Sequence, residues 1–423
     1  MVNRLQKLSP QFKKILKTSS LSAKSLGVNI YLVGGVVRDL ILKKEVFDLD
    51  IVVEGNAIVF VKKLASRLGA KFNRHHSFGT ATLYFDQHKI DFATARTEEY
   101  RHWGALPSVS PAPLAKDLLR RDFSINAMAI SLNKPDYGAL IDLSNGLSDL
   151  KRGLIRVLHP MSFQEDPTRI LRAIRFEQRL SFKIEANTFK LMKEALGTGA
   201  LKLVSPHRLR DEIILILSEP RPYRCIRRIK ELGDFSFLDK RIRTDGEFFR
   251  LFLRIEKAYH YYQKKFARHR KLKVWLLYLA ALLSKLTTPG LKKFFHDFGF
   301  RKGERTIVSS IVQGKHKIKR LSRQAKASTI YRILGPYSFE SILFFYAYYK
   351  EPRLRKNIEH FLDKLVDINL KVKGQDLKEM DLRPHDLYGK VLRQTLYSKI
   401  DKDLKGKHQE LKELKRIFKR HKK

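Results

Sequence analysis

The segment FDLDIVVEG, residues 47–55, sets Asp48 and Asp50 one residue apart at the head of a β-branched apolar run. In an extended strand alternate side chains share a face, so the two carboxylates point one way and Leu49 the other. Carboxylates that close repel and raise each other's pKa unless a cation lies between them. Such a pair is the usual protein donor set for Mg2+ that handles phosphates, although an arbitrary D-x-D is more often a solvated loop. The upstream VGGVVRDL, residues 33–40, favours the metal reading. Gly34 and Gly35 follow a predicted strand and open a helix whose first N–H groups can bind a triphosphate, with Arg38 one turn in. A third acid, Asp91, lies in the apolar strand KIDFATA, where an unpaired carboxylate is costly. Three strand carboxylates, Asp48, Asp50 and Asp91, can hold two Mg2+ ions for in-line nucleotidyl transfer. Asp91 is less firmly assigned than the D-x-D pair: the alternatives are Glu98 or Glu99 as the ligand, with Asp91 only pairing with Arg96.

A second constellation is EDPTRILRAIRF, residues 165–176. Asp166 stands where an N-cap belongs and Pro167 at the first helical position. Asp166, Arg169, Arg172 and Arg175 follow at three-residue intervals, each a neighbour of the next, in a row that winds by about 60° per step. An acceptor beside a planar donor can meet the Watson–Crick edge of a base, and further arginines can meet its phosphates. The plain alternative is a capped helix with solvated or ion-paired arginines. In VSPHRLRDEIILIL, Arg208 or Arg210 is expected to pair with Glu212 and stabilise its helix.

The elements that must position these residues divide the chain in two. NIYLVGG, LDIVVEG, TATLYF and KIDFATA read as strands and AIVFVKKLASRLG as a helix between two of them. Strand signals fade after about residue 160. The rest is helical to the end, with basic runs at 261–275, 314–326 and 412–423.

The chain has 423 residues, and 86 Lys and Arg against 43 Asp and Glu give a net charge of +43. That excess implies a polyanionic partner, either nucleic acid or an anionic membrane surface. The longest apolar run, VWLLYLAALL, is about half a membrane span, and the N-terminus has no apolar signal core, so a soluble, cytoplasmic protein is expected. The single cysteine, Cys225, excludes an intrachain disulfide framework and a cysteine-based zinc site. His296–Asp297 has no supporting ligands at metal-binding spacing. The Tyr/Phe-rich segments FFRLFLRIEKAYHYY and YSFESILFFYAYY repeat at helical spacing, which predicts core packing rather than base stacking.

YLVGGVVRDLIL…FDLDIVVEGNA, KIDFATARTEEY, DLLRRDFSINAMAI, LIDLSNGLSDLKRGLIRVLHP and SFQEDPTRILRAIRF, in this order between about residues 29 and 215, resemble the class II tRNA nucleotidyltransferases. That family comprises CCA-adding, CC-adding and A-adding enzymes and bacterial poly(A) polymerases. The resemblance implies an α+β fold, with a polymerase-β-like head followed by an all-helical neck, body and tail. The implied divisions are a nucleotidyltransferase head 1–145, a nucleotide-selecting neck 146–215, a body 216–340 and a basic, tRNA-binding tail 341–423. Asp166 and Arg169 match the pair that selects the incoming nucleotide, and Arg172 and Arg175 match further nucleotide contacts. Arg120 and Arg121 are triphosphate candidates, with Asp122 and Asn126 orienting them or the ribose; the alternative is a salt-bridge cluster tying head to neck. Asn145 stands where the family commonly has glycine. Residues 372–392 resemble its C-terminal signature, except that His385 and Asp386 replace more usual glycine-rich residues.

The implied reaction is attack of a tRNA 3′-hydroxyl on an NTP α-phosphate with release of pyrophosphate, the acceptor–TΨC arm being held by shape and phosphates. VVEGNA, GALPSV and DYGALIDLSNGLSDL look most like A-adding enzymes, which take ATP. CC-adding and full CCA-adding activities, which take CTP, are the alternatives, followed by poly(A) polymerase, which the basic tail favours. A non-catalytic RNA-binding protein is opposed by the intact Asp48, Asp50, Asp166 and Arg169.

Overall fold

Among the described residues, nine strands of three or more residues form in the first half of the chain, beside a two-residue parallel pair, Leu154–Ile155 with Lys183–Ile184, the second of which lies within the stretch expected to be all helical. The nine are β1 (Asn29–Val33), β2 (Leu49–Glu54), β3 (Lys71–His75), β4 (Thr80–Phe85), β5 (His88–Thr94), β6 (Arg96–Glu99), β7 (Ser108–Pro111), β8 (Met128–Ser131) and β9 (Leu140–Asp142). These come from a computed structural model that describes residues 2–266, 270–380 and 387–422; His385 and Asp386 lie outside the described residues. Seven strands make one mixed sheet in the order β3-β4-β5-β2-β1-β8-β9, and β6 pairs with β7 in a separate ribbon. Within the large sheet β2 and β5 are parallel and the remaining neighbours antiparallel.

A parallel pair needs a crossover, and the helix Ala57–Leu68 contributes to it. Asn56 caps it through Oδ1, which accepts from the Ile58 and Val59 N–H groups at 3.0 and 3.1 Å. Ala57, Phe60, Val61, Leu64 and Ala65 make its buried stripe, with the Phe60 ring 5.7 Å from that of Phe92 on β5. Leu49, Ile51 and Val53 of β2 are fully buried whereas Asp50 is exposed. The alternation of the strand therefore sends its acid out of the core.

The chain folds into two compact units, Met1–Ile213 with Glu231–Phe237 and Ile214–Lys230 with Leu238–Lys423. The described part of the second unit is helical. Its helix Trp275–Leu282 is buried on all sides, which explains the uninterrupted apolar run, and among the described residues no helix is long and apolar enough to cross a membrane. Phe248, Phe252 and Tyr262, like Phe344 and Phe345, are buried in this unit, as core packing requires. Val372, Leu377, Val391, Leu414, Ile417 and Phe418 form a further small core near the C-terminus.

Candidate active site

β2 and β5 set the acids. Asp50 and Asp91 are register partners across the parallel pair, and Asp48 lies in exposed chain just before β2. Asp50 is open to solvent yet surrounded by protein. Desolvation first, then Asp91 and Asp48, push its pKa up, against the partial relief of Arg121 and Lys89. Asp91 accepts from Thr82 Oγ1 at 2.6 Å and Lys89 Nζ at 2.8 Å. Its expected alternative partner, Arg96, goes to Glu98 instead, at 2.9 Å. Glu98 is further engaged by Arg120 at 2.7 Å and by the Tyr100 hydroxyl at 3.0 Å.

Among the described residues no group of three or more His, Cys, Asp or Glu is gathered as a ready metal cage. The hard oxygen donors of Asp48 and Asp50, with the only partly compensated charge at Asp50, fit a divalent cation that takes one or two protein carboxylates and the rest of its ligands from water and phosphates.

Every predicted site residue except Asp48 and Asp91 lines one cavity of about 610 Å³. Gly34 lies at φ +76°, ψ −135°, a conformation that calls for glycine, and a Cβ there would stand 3.0 Å from Arg121 Nη1 and press on that guanidinium. Gly35 opens the short helix Gly35–Ile41, and its Arg38 is buried. From Arg38 a polar chain runs across the cavity. Arg38 Nη1 donates to Asn126 Oδ1 at 2.7 Å, and Asn126 Nδ2 donates to Asp122 Oδ1 at 3.0 Å. Asp122 Oδ2 accepts from Arg172 Nε and Nη2 at 2.9 and 2.6 Å, and Arg172 Nη1 donates to Glu212 Oε1 at 3.2 Å. Arg175 Nε lies 4.0 Å from Glu212. The guanidinium carbons of Arg38, Arg172 and Arg175 stand 5.2, 5.7 and 5.0 Å from the centre of the Phe176 ring, which serves all three as a cation–π partner.

Sequence reasoning missed Asp117. Fully buried on the helix Leu114–Leu119, it holds Arg120 at 2.5 Å and Arg121 at 2.8 Å, one on each oxygen. Burial alone would raise its pKa; Arg121 and then Arg120 outweigh that and hold it below the usual carboxylate range. The available signal was an acid three and four residues before two arginines.

The helix Thr168–Leu180 starts one residue later than expected, with Pro167 at the N-cap, and Asp166 just before it accepts at Oδ1 from Thr168 N at 3.0 Å and Thr168 Oγ1 at 2.6 Å. Arg169 is buried, donating to Ser162 Oγ at 2.6 Å and to the Arg120 carbonyl at 2.7 Å. The expected pairing of Arg208 or Arg210 with Glu212 does not form. Arg208 pairs with Asp166 at 2.7 Å, Arg210 with Asp211 at 2.7 Å, and Glu212 turns inward to Arg172. Partners brought in by the fold displace the local ones, and Arg208 and Glu212 both line the cavity.

A cationic cavity bordered by strand carboxylates suits a polyphosphate brought together with a divalent cation. Residues 30–156 match the family described as "Poly A polymerase head domain", and residues 181–239 the one described as "Probable RNA and SrmB- binding site of polymerase A". The chain is 39% identical over 374 residues to the A-adding tRNA nucleotidyltransferase of Aquifex aeolicus, covering 88% of this chain and 45% of that protein. It thus spans less than half the length of that relative. The A-adding tRNA nucleotidyltransferase of Halalkalibacterium halodurans is 32% identical over 383 residues, covering 90% of this chain and 86% of that one. The Thermotoga maritima CCA-adding enzyme complexed with tRNA superposes with a TM-score of 0.72 at 32% identity, covering 98% of both chains.

Proposed function

We infer the activity from one premise: the chain belongs to the tRNA nucleotidyltransferase family. On that premise it transfers a nucleotidyl unit to the 3′ end of tRNA, and the unit is AMP from ATP, the terminal A of CCA. The observation that carries the reading is that Asp50, the Gly34–Gly35 turn, the arginine chain and Asp166 border a single cavity. That cavity suits one nucleoside triphosphate.

In this reading Arg120, Arg121 and Arg38 hold the triphosphate beside the glycine turn. Asp122 and Asn126 fix the arginines and the ribose. Asp48 and Asp50, with Asp91 as third acid, hold Mg2+, in a two-metal arrangement. When bound, the metal supplies charge neutralisation between the tRNA 3′-hydroxyl and the α-phosphate, and at the departing pyrophosphate. Asp166 accepts from an exocyclic amine, and Arg169 donates to the neighbouring ring nitrogen. Adenine (N6, N1) and cytosine (N4, N3) present that same order, whereas guanine and uracil present the reverse, so the pair rejects guanine and uracil by chemistry alone. Arg172 and Arg175 complete the nucleotide contacts. The A-adding relatives, matched over most of this chain, favour ATP over CTP.

The helical second unit, with the excess of Lys and Arg, suits the acceptor–TΨC arm of tRNA in a cytoplasmic setting. The functional division into head 1–145, neck 146–215, body 216–340 and tail 341–423 is part of the same reading. The test supplies labelled ATP or CTP to tRNAs ending before the first C, after one C and after both. AMP added only to the CC end supports the assignment; CMP alone would make the protein CC-adding, and a long A tail a poly(A) polymerase.

A further inference from the structure

Asp166 and Arg169 cannot by their chemistry tell adenine from cytosine, because both bases offer an amine donor beside a ring acceptor. What differs is reach: the adenine edge lies one ring further from its sugar. With the triphosphate held by arginines, the choice falls to where the Asp166 carboxylate is fixed.

Outside its own turn, one side chain fixes it. Arg208 Nη2 stands 2.7 Å from Asp166 Oδ1, while Arg208 Nη1 donates to the carbonyls of Gly104 and Ala105 at 3.1 and 3.3 Å. The same turn is tied back to the segment before Asp166, since Gly104 N–H donates to the Gln164 and Glu165 carbonyls at 3.3 and 3.2 Å. Gly104 sits at φ +74°, and a Cβ there would meet the Leu203 carbonyl carbon and oxygen at 3.0 Å. Turn 104–105, segment 164–166 and Arg208 therefore form a closed bracket that no larger residue at 104 can enter without shifting it. Both Thr168 donors and Arg208 converge on Oδ1. Oδ2 is left to accept from a base.

We propose that Arg208 is a positioning residue for nucleotide choice: bridging turn 104–105 to Asp166, it sets the distance at which Asp166 meets the base edge, and so decides between ATP and CTP. This rests on the nucleotide-selecting reading of Asp166 given above. Lysine cannot replace it, because one ammonium lacks the planar fork that spans a carboxylate and two carbonyls.

The experiment measures kcat and KM for ATP and for CTP on tRNAs ending in C and in CC, together with tRNA affinity, in the parent protein, Arg208→Lys, Arg208→Gln and Gly104→Ala. The parent is measured first. AMP incorporation sustains the proposed function; CMP incorporation overturns that function, and the ratio is then taken with CTP as the preferred nucleotide, so that Arg208 is still decided. A parent that incorporates neither overturns both. The expected result for the variants is a loss of about 10–100-fold in the ratio of kcat/KM values, the size of change that a displaced recognition group gives, with tRNA affinity unchanged. Gly104→Ala should lose discrimination in the same direction, through the turn. A parallel fall for both nucleotides, leaving the ratio as in the parent, would mean that Arg208 only stabilises the fold and overturns the proposal. If the Arg208 variants do not fold, Gly104→Ala decides by the same ratio.

Discussion

Asp50 and Asp91 face each other in register across the parallel strands β2 and β5, so their carboxylates project from the same side of the sheet. Desolvation first and then Asp91 raise the pKa of Asp50, so its charge opposes stability. A carboxyl whose folded pKa lies above its unfolded value binds its proton more tightly when folded. Stability therefore falls as pH rises through that interval, and the penalty is complete above it. Asp50→Asn should melt at a higher temperature than the parent at pH 7.5 without divalent cation, while losing nucleotide incorporation. The difference in melting should close as pH falls towards ordinary carboxylate values. Added Mg2+ should raise the parent's melting temperature and leave the variant's unchanged. A variant that melts lower at pH 7.5 would count against the electrostatic account.

Asp117 works in the opposite sense. Its lowered pKa means that its contribution is present at neutral pH and lost as pH falls through the folded value. Asp117→Ala leaves two arginines without the carboxylate they share, a loss of about 3 kcal/mol. Thermal unfolding of the first unit should shift down by about 6–12 °C. The KM for ATP should rise too, because Arg120 and Arg121 lose the oxygens that aim them. An unchanged KM in the folded variant would show that the arginines hold their aim without it.

The difference between what the sequence revealed and what it concealed follows from range. β2 was legible because Leu49, Ile51 and Val53 alternate with an acid, and the helix Ala57–Leu68 because its apolar stripe and Asn56 cap are local signals. β3 escaped, since Lys71–His75 is a polar edge strand, and β8 escaped because Met128–Ser131 is four residues long and buried throughout, without alternation. Most of the predicted site residues meet in one cavity, since motif residues cluster wherever the fold brings their segments together. The pairings within it were not legible. Glu212 lies four residues from Arg208 in sequence, yet it binds Arg172, which the fold delivers from forty residues away.

Arg172 bridges two carboxylates of unequal standing. At Asp122 burial is outweighed by Arg172 and the Asn126 amide, and the pKa is lowered. At Glu212 burial wins over Arg172 and Arg175, Asp166 adds to it, and the pKa is raised. Asp122 is thus the anchor and Glu212 the strained partner. Asp122→Asn should cost about 2–4 kcal/mol in denaturation at pH 7, whereas Glu212→Gln should leave stability unchanged or raise it. The gain from Glu212→Gln should vanish at acid pH, where the parent's glutamate is protonated in folded and unfolded chains alike. The reverse order of the two variants would refute this division.

The second unit offers an electrostatic prediction independent of the chemistry. On the helix Lys302–Lys319, Lys315 is half-buried beside the Tyr348 ring, its Nζ 4.9 Å from the ring centre. Burial and then Lys285 lower its pKa. Lys285, Lys315 and Lys319 line a single cavity of about 830 Å³. Cations that repel one another are stabilised by an incoming phosphate, and each phosphate contact releases condensed counterions, so tRNA affinity should fall steeply with salt. With six to ten contacts the loss between 50 and 200 mM salt is about 10³–10⁵-fold. Lys315→Ala should weaken tRNA binding and reduce the slope of log K against log salt by about 1, with the KM for ATP unchanged because the cavity proposed to take the nucleotide is built wholly from the first unit. An unaltered slope would remove Lys315 from the RNA-binding surface.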